Sequence, residues 1–486
     1  MSTTAHLGLV ASPGDGAARH GGATVAAATP TALAGIADTG TFVPLPGRQD
    51  SDDGVVAGTA TVAGVHVVAY GTNPARRGGA LTSAGCALVV EAIGVAERRN
   101  RPVLGVWHSG GADLAEGVAS LRGVAGIFAA MTRASGRVAQ LALVDGPAAG
   151  GAAYGSALND IVVMTSRGRL FVTGPAVVAQ VTGSRTDMET LGGPEVHAYR
   201  SGAAHVLARD RGEARGIAGE LLGLLSPAAP SVPAVSPGVA DGPDPGRWIP
   251  ASPRRAYDIR PVVTDILDGP GIELHEHWAP NVHVRLGRLG GRPVGVVANN
   301  PLRKCGCLDA SASTKAARFV RLCDAFGIPL VVLVDVPGYL PGLDEESNGV
   351  LRCGAKLLHA FAAAGVPRVT VLVRKAFGGA FVAMNSRGLG ASSVLAWPGA
   401  DVGIMNPESA VEILHRRELE ALPVDESAER REELLRRYRD RTPTPADLVV
   451  TGDVDRVIAP ADTRRELLAE LAGRIPVRAV LTNIPL

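Results

Sequence analysis

Two rhythms of apolar residues run along the chain, and each recurs in the same order in both halves. Pro102-Val-Leu-Gly-Val-Trp-His-Ser-Gly110 is a short apolar run ending on glycine, the pattern of a buried strand. Val118, Leu121, Ala125, Phe128 and Met131 then fall near one face of a helix. A second strand, Val138 to Val144, runs into Gly146-Pro-Ala-Ala-Gly-Gly-Ala152. The second half repeats this with the strand Pro329-Leu-Val-Val-Leu-Val-Asp-Val-Pro-Gly338 and a helix marked by Val350, Leu357, Leu358 and Phe361. Val369 to Val373 then leads into Arg374-Lys-Ala-Phe-Gly-Gly-Ala380. Gly110 to Gly150 and Gly338 to Gly378 are both separations of 40 positions. Equal gaps at equivalent places predict a duplicated strand–helix–strand unit. Each half also has a helix before its first strand; in the second, Phe319, Leu322, Cys323 and Phe326 mark it. Such alternation predicts an α/β fold.

Between the halves, Ser226 to Arg255 holds eight prolines, a density that neither a helix nor a central strand tolerates. The expected organisation is an opening segment 1–45, a first domain 46–225, a linker 226–255 and a second domain 256–486. Near the end, about Val411 to Asp440 predicts a charged helical region. Thr463-Arg-Arg-Glu466 predicts a capping box that opens a last helix.

Composition narrows the partners. The 48 basic and 47 acidic residues nearly cancel, so there is no overall field for a nucleic-acid backbone or an anionic membrane. No apolar run is long enough to span a bilayer, and the Ala/Gly-rich start lacks the pattern of a signal peptide. Five scattered cysteines without a leader fit a reduced, cytoplasmic protein. Cys305 and Cys307 have no second pair at zinc-binding spacing, so they are expected as small residues in a packed turn and no metal site is expected.

The sharpest chemical feature is the pair Gly150-Gly151-Ala152 and Gly378-Gly379-Ala380, each between a buried strand and a helical stretch. Such a turn exposes backbone N–H groups, and two of them converging form an oxyanion hole, the device that stabilises a thioester enolate. Taken singly, either turn more often serves close strand–helix packing; equivalent placement of both favours the oxyanion reading. No catalytic triad, zinc-protease motif, P-loop or dinucleotide fingerprint stands in its required context. His197, His205 and His359 are expected as structural histidines. The lysines, Lys304, Lys315, Lys356 and Lys375, all fall in the second half, where they mark either an electrostatic task or a compositional bias towards arginine.

Two glycine turns without a catalytic base, together with their flanking residues, resemble the carboxyltransferase β subunits of biotin-dependent acyl-CoA and propionyl-CoA carboxylases. The likeness rests on Gly111-Ala-Asp-Leu-Ala-Glu-Gly117, Phe171-Val-Thr-Gly-Pro175, Tyr257-Asp-Ile-Arg260 and Gly306-Cys-Leu-Asp309. Lys315-Ala-Ala-Arg-Phe-Val320, Asp335-Val-Pro-Gly-Tyr-Leu-Pro-Gly342, the Arg374–Ala380 segment and the terminal Asn483-Ile-Pro-Leu486 extend it. The resemblance implies two tandem crotonase-type domains related by duplication. It implies that the amides of Gly150 and Gly151 hold the acyl thioester oxygen and those of Gly379 and Ala380 the biotin ureido oxygen. Gly111, Ala112 and Val382 would border the acyl-CoA substrate, and Phe377 and Gly378 the biotin. It further implies carboxybiotin on a separate carrier, a partner α subunit with biotin carboxylase and biotin carrier, and a homo-hexamer built as a trimer of dimers.

Three departures stand out. The family's charged opening helix is replaced by a neutral stretch; Asp113 stands where the motif has arginine; and Val382 stands where propionyl-type enzymes carry aspartate. Asp113 either points away from the anionic CoA or alters its binding, and Val382 marks either a different or bulkier acyl group or neutral drift. Related enolate chemistry, decarboxylation and a non-catalytic scaffold role are the alternatives to carboxyl transfer.

Overall fold

The computed structural model describes residues 29–46, 54–226, 242–474, 477 and 483. The first half is a sheet of β1 (Val43–Pro44), β2 (Val55–Val62), β3 (Val65–Thr72), β4 (Val103–Ser109), β5 (Gln140–Ala149), β6 (Ile161–Thr165) and β8 (Val206–Ala208), in that order. The short β7 (Arg169–Phe171) pairs with the end of β5. The second half repeats it with β9 (Ile272–Leu274), β10 (Val282–Leu289), β11 (Arg292–Asn299), β12 (Leu330–Val336), β13 (Arg368–Phe377), β14 (Ser393–Ala396) and β16 (Arg456–Val457); β15 (Asp401–Gly403) pairs with the end of β13. In both sheets the central strands are parallel and an antiparallel hairpin flanks them. Parallel strands are covered on both faces, which is why β4 and β12 read as continuous apolar runs.

The duplication is exact to the residue in places. Val68 pairs with Val103 as Gly295 pairs with Leu330, both shifted by 227 positions. The β4/β5 register breaks between Trp107 and Ser109, and the β12/β13 register between Val334 and Val336. Each break lies at the strand end nearest the glycine turn.

Several expectations need correction. The helix Val118–Ala134 exists, but it buries Val124, Ile127, Ala130 and Met131, whereas Val118 and Leu121 are exposed. The charged helical region is present as expected, divided into three helices, Pro407–Leu414, Arg416–Glu420 and Val424–Arg439. Thr463 lies inside the last helix, Thr463–Leu471, and its hydroxyl accepts from Trp397 Nε1 at 2.9 Å; no side chain caps that helix. A capping box does form at Thr444 and Asp447.

Residues 29–45 pack into the first half through Leu33, Ile36, Phe42 and Leu45, and Asp38 binds Thr61, the amides of Ala63 and Gly64, and Arg215. Residues 242–255 are docked on the second half, where Trp248 Nε1 donates to Asp265 at 2.7 Å. Residues 1–28 and 227–241, which carry the rest of the opening-segment and linker readings, lie outside the described residues.

Two polar clusters join the halves. Arg318, fully enclosed, donates to the carbonyls of Asn159 and Asp160 and to the side chain of Asn483. Asn483 in turn donates to Asp160 at 2.7 Å and exchanges hydrogen bonds with Ser135. The second cluster surrounds a cavity of about 130 Å³ lined by His205, Glu273, His275, Glu276 and His277. His205 Nδ1 accepts from the Val162 amide at 3.1 Å and His275 Nε2 meets the Gly202 carbonyl at 2.9 Å, with the two rings 4.2 Å apart. Burial pulls the His275 pKa down to about 3, aided by the charge of Lys315. Burial likewise pulls His205 well below its usual range, with His275 and Arg318 adding to it.

Both rings are therefore neutral in the fold and protonate on unfolding. Their contribution is complete above pH 6.5, the unfolded value, and is lost as pH falls towards about 3. Replacing both His205 and His275 by Gln is expected to flatten the fall of thermal stability between about pH 6.5 and 4. Calorimetry over that range checks it; an unchanged slope assigns acid sensitivity elsewhere.

Candidate functional site

The first turn is built where β5 ends. Gly150 adopts φ 53°, ψ −117°, a conformation suited to glycine, and Gly151–Ala157 is helical from the next residue. The Gly150 N–H donates to the Phe171 carbonyl of β7 at 3.2 Å. This corrects its reading as a free donor, because the edge pairing of β7 already uses that amide. Gly151 and Ala152 lead the helix, so their N–H groups have no intrahelical acceptor. Gly111 packs beside them: a Cβ there would lie 2.9 Å from the Ala149 carbonyl and 3.9 Å from Gly151 N. A side chain at 111 would strike the Ala149 carbonyl and hold a backbone at φ 96°, so glycine permits this close packing. Ala112 forms an isolated bridge with Leu81, which ties the Gly111 loop to the start of the helix Ser83–Arg99.

The second turn matches it 228 positions on (150 to 378). Gly378 has φ 62°, and a Cβ there would meet the Ile404 carbonyl at 2.8 Å. Phe377 is buried at the end of β13, and Gly378–Ala383 is helical. Gly379 is exposed, and nothing lies within 4 Å of where its Cβ would be. Val382, one helical turn on, is 44% exposed and occupies the place of Tyr154 in the first half.

Beneath the second turn lies a network that residue patterns did not reveal, although its members occur in the motifs quoted above. The fully buried Asp335 accepts from Tyr257 Oη at 2.8 Å, Arg374 Nε at 2.9 Å and the Lys375 amide at 3.2 Å. Arg374 also lies over the Tyr257 ring, 4.9 Å from its centroid, and donates to the Arg255 carbonyl at 3.0 Å. Burial, then the Asp335 charge, raises the Tyr257 pKa well above its usual value, so the phenol stays a donor. The network clamps the strand that delivers Gly378 and Gly379.

The remaining candidates scatter. His197 bridges Ser201 and the Leu170 carbonyl, a structural role, and His205 belongs to the junction. His359 is exposed, so its expected packing role does not hold. Lys315 is buried with its ammonium on the carbonyls of His275, Trp278 and Ala279, and Lys304 pairs with Asp309. Cys305 is exposed and Cys307 half-buried, in place of the packed pair expected. Among the described residues no group of three or more His, Cys, Asp or Glu side chains is placed to hold a metal ion. None of the described helices is long and apolar enough to cross a membrane.

A family profile described as a carboxyl transferase domain matches residues 45–475, spanning both sheets and both turns. The chain belongs to the carboxyl transferase family. It is 48% identical over 456 residues to the biotin-dependent acetyl-/propionyl-coenzyme A carboxylase beta6 subunit of Mycobacterium tuberculosis, covering 93% of this chain and 96% of that one. It is 46% identical to the propionyl-CoA carboxylase beta chain of Rhodococcus erythropolis, over 93% and 95% of the two chains. Among solved structures, the transcarboxylase 12S hexamer with methylmalonyl-coenzyme A bound superposes with a TM-score of 0.85, at 37% identity and over 93% and 91% of the chains. In this carboxyl transferase the departure at Asp113 is resolved by its partner. Asp113 is buried and bonds Arg77 at 2.8 Å and the Ala115 amide at 2.8 Å, so its charge is turned inward and paired.

Proposed function

We propose that this chain transfers the carboxyl group of carboxybiotin, borne on a separate carrier protein, to the α-carbon of an acyl-CoA, giving a malonyl-type thioester. The observation that carries this reading is the pair of glycine turns at equivalent places, each with a positive-φ glycine (53° at Gly150, 62° at Gly378) and leading helix amides beyond a parallel strand. Gly151 and Ala152 would hold the thioester oxygen as negative charge develops on it, and Gly379 and Ala380 the ureido oxygen of biotin. Open space at Gly379 fits a ligand that must approach the backbone itself. When bound, carboxybiotin supplies carbon dioxide and a ureido nitrogen that takes the acyl α-proton, so the chain needs no side-chain base. The Asp335–Arg374–Tyr257 network would fix the biotin-side turn before the donor arrives.

Exposed apolar side chains lie beside both turns: Val172, with Val118 and Leu121 on the helix that packs Val124 against Gly151, at the first, and Ile404 at the second. Patches of this kind call for cover. We assign it to a second copy of the chain, so that sites form between protomers of a hexamer, with an α subunit delivering biotin.

Val382 would face the acyl group. Val382→Asp is expected to change the propionyl-to-acetyl ratio of kcat/KM by about tenfold; an unaltered ratio across acetyl, propionyl and longer thioesters removes that role. The function itself is tested with a cognate α subunit, ATP, labelled bicarbonate and a panel of acyl-CoAs. Label in an acyl-CoA supports carboxyl transfer. Carbon dioxide released from a malonyl-type thioester, without labelling of any acyl-CoA, favours decarboxylation instead.

A further inference from the structure

We infer that Cys305 and Cys307 are a reversible redox pair, closed to an intrachain disulfide by a hydroperoxide and reopened by a dithiol, beside the biotin-side turn. The duplicated fold supplies an internal control. The turn Lys304–Gly306 repeats Arg77–Gly79, shifted by 227 positions, so Cys305-Gly306-Cys307 occupies the places of Gly78-Gly79-Ala80. Both turns close the same way: Cys307 N donates to the Lys304 carbonyl at 2.9 Å, and Ala80 N to the Arg77 carbonyl at 3.2 Å.

The middle glycine is obligatory in each. A Cβ would come within 2.6 Å of the Asp335 carbonyl at Gly306 and 2.1 Å of the His108 carbonyl at Gly79. The first position is left-handed in each, φ 65° at Gly78 and φ 54° at Cys305. Glycine adopts that conformation freely and cysteine does not. Folding is therefore served by the first-half sequence, and Cys305 keeps its thiol against the preference of the backbone. The preceding position is left-handed without glycine in both halves, φ 50° at Arg77 and φ 45° at Lys304, so the weight of the case lies in a second thiol placed two residues away at Cys307.

Access and spacing agree. Cys86, Cys323 and Cys353 are buried, whereas Cys305 is exposed and Cys307 half-buried. Residues two apart around a tight turn have Cα atoms about 5–6 Å apart, within the span of a disulfide. The backbone of the turn is pinned, with Asn299 donating to the Gly306 carbonyl at 3.1 Å and Asn281 to the Cys307 carbonyl at 2.8 Å. Closing a small ring on so fixed a backbone gives a strained and readily reduced bond, the labile kind used for control. Burial pushes the Cys307 thiol up and Cys305 adds to this, while Lys375 opposes it. The exposed Cys305 accordingly meets the oxidant first and Cys307 resolves it.

In the first step the Cys305 thiolate attacks a peroxide oxygen; an S–O bond forms, the O–O bond breaks and hydroxide or alkoxide leaves. Cys307 sulfur then displaces hydroxide from the sulfenic acid, which departs as water with the thiol proton. Both sulfurs are oxidised and the peroxide is reduced. The change reaches the site through the next residue. Leu308 N donates to the Gly338 carbonyl at 3.1 Å, and the Leu308 carbonyl accepts from Leu340 N at 2.7 Å, while Lys375 lies on the strand leading to Gly378.

The effect on rate rests on the proposed function; the disulfide does not. The test treats the reduced full-length chain with hydrogen peroxide, then combines alkylation with peptide mass spectrometry and the carboxyl transfer assay. The peptide spanning Cys305 and Cys307 is expected to lose both alkylation sites and the mass of two hydrogens, and to recover with dithiothreitol. Transfer should fall and return in step, and Cys305→Gly should keep the reduced-state rate while losing the peroxide response. The inference is overturned if both thiols stay alkylatable, if oxidation falls on Cys86, Cys323 or Cys353 instead, if the disulfide leaves the rate unchanged, or if Cys305→Gly remains equally sensitive. Absence of transfer in the reduced protein would count against the proposed function and leave the mass result to stand on its own.

Discussion

Replacing Gly379 by proline is expected to lower carboxyl transfer by about 10²- to 10³-fold, with the protein still folded. Proline removes the N–H at issue. Position 379 is in the first turn of the helix Gly378–Ala383, where the amide has no intrahelical acceptor and where proline is tolerated. The companion Gly379→Ala keeps the N–H, and with no protein atom within 4 Å of the new Cβ it is expected to fold like the parent and to lose far less activity than proline, its methyl intruding only on the space through which the ligand approaches. A steady-state assay with circular dichroism on both variants checks this. If proline and alanine behave alike, the amide is not the working group. The matching first-half position is less clean, because a Cβ on Gly151 would strike Val124 at 2.7 Å.

Much of this architecture was legible in the residues. Buried parallel strands make unbroken apolar runs, so β4, β5, β12 and β13 were read at once, and the equal glycine spacing exposed the duplication. What escaped notice was set by contacts between distant positions. The helix Val118–Ala134 is apolar on two sides, one packed on the helix Ser83–Arg99 and one facing outward, and periodicity alone does not rank them. Asp113 looked like a charge at the mouth of the site because its partner, Arg77, comes from a separate turn. Gly150 looked like a donor because the pairing of β7 at that strand end has no local signature. Thr463 offered a capping pattern, but Trp397 engages its hydroxyl.

The second large effect concerns the junction of the halves. Arg318→Leu is expected to destabilise the protein by about 3 kcal/mol, because it leaves the buried carbonyls of Asn159 and Asp160 and the Asn483 side chain without their donor and removes the positive charge near the Asp160 carboxylate. Asp160 is enclosed; burial raises its pKa, and the charge of Arg318 is the largest influence opposing this. Its oxygens also accept from the Gln140 amide at 2.8 Å and from Asn483, so the loss would spread to the end of the chain. Adding Asp160→Asn to Arg318→Leu should recover part of the stability, since the uncompensated charge disappears while an acceptor for Gln140 remains. Thermal unfolding of the single and double variants measures both effects. A single variant as stable as the parent would show that Arg318 is not what balances Asp160.

The most direct examination of the central claim is a structure determined with an acyl-CoA and biotin bound together. The account requires the thioester oxygen within hydrogen-bond reach of the Gly151 and Ala152 amides, and the biotin ureido oxygen at those of Gly379 and Ala380. Ligands seated elsewhere, with these four N–H groups turned to water or to other protein atoms, would contradict it.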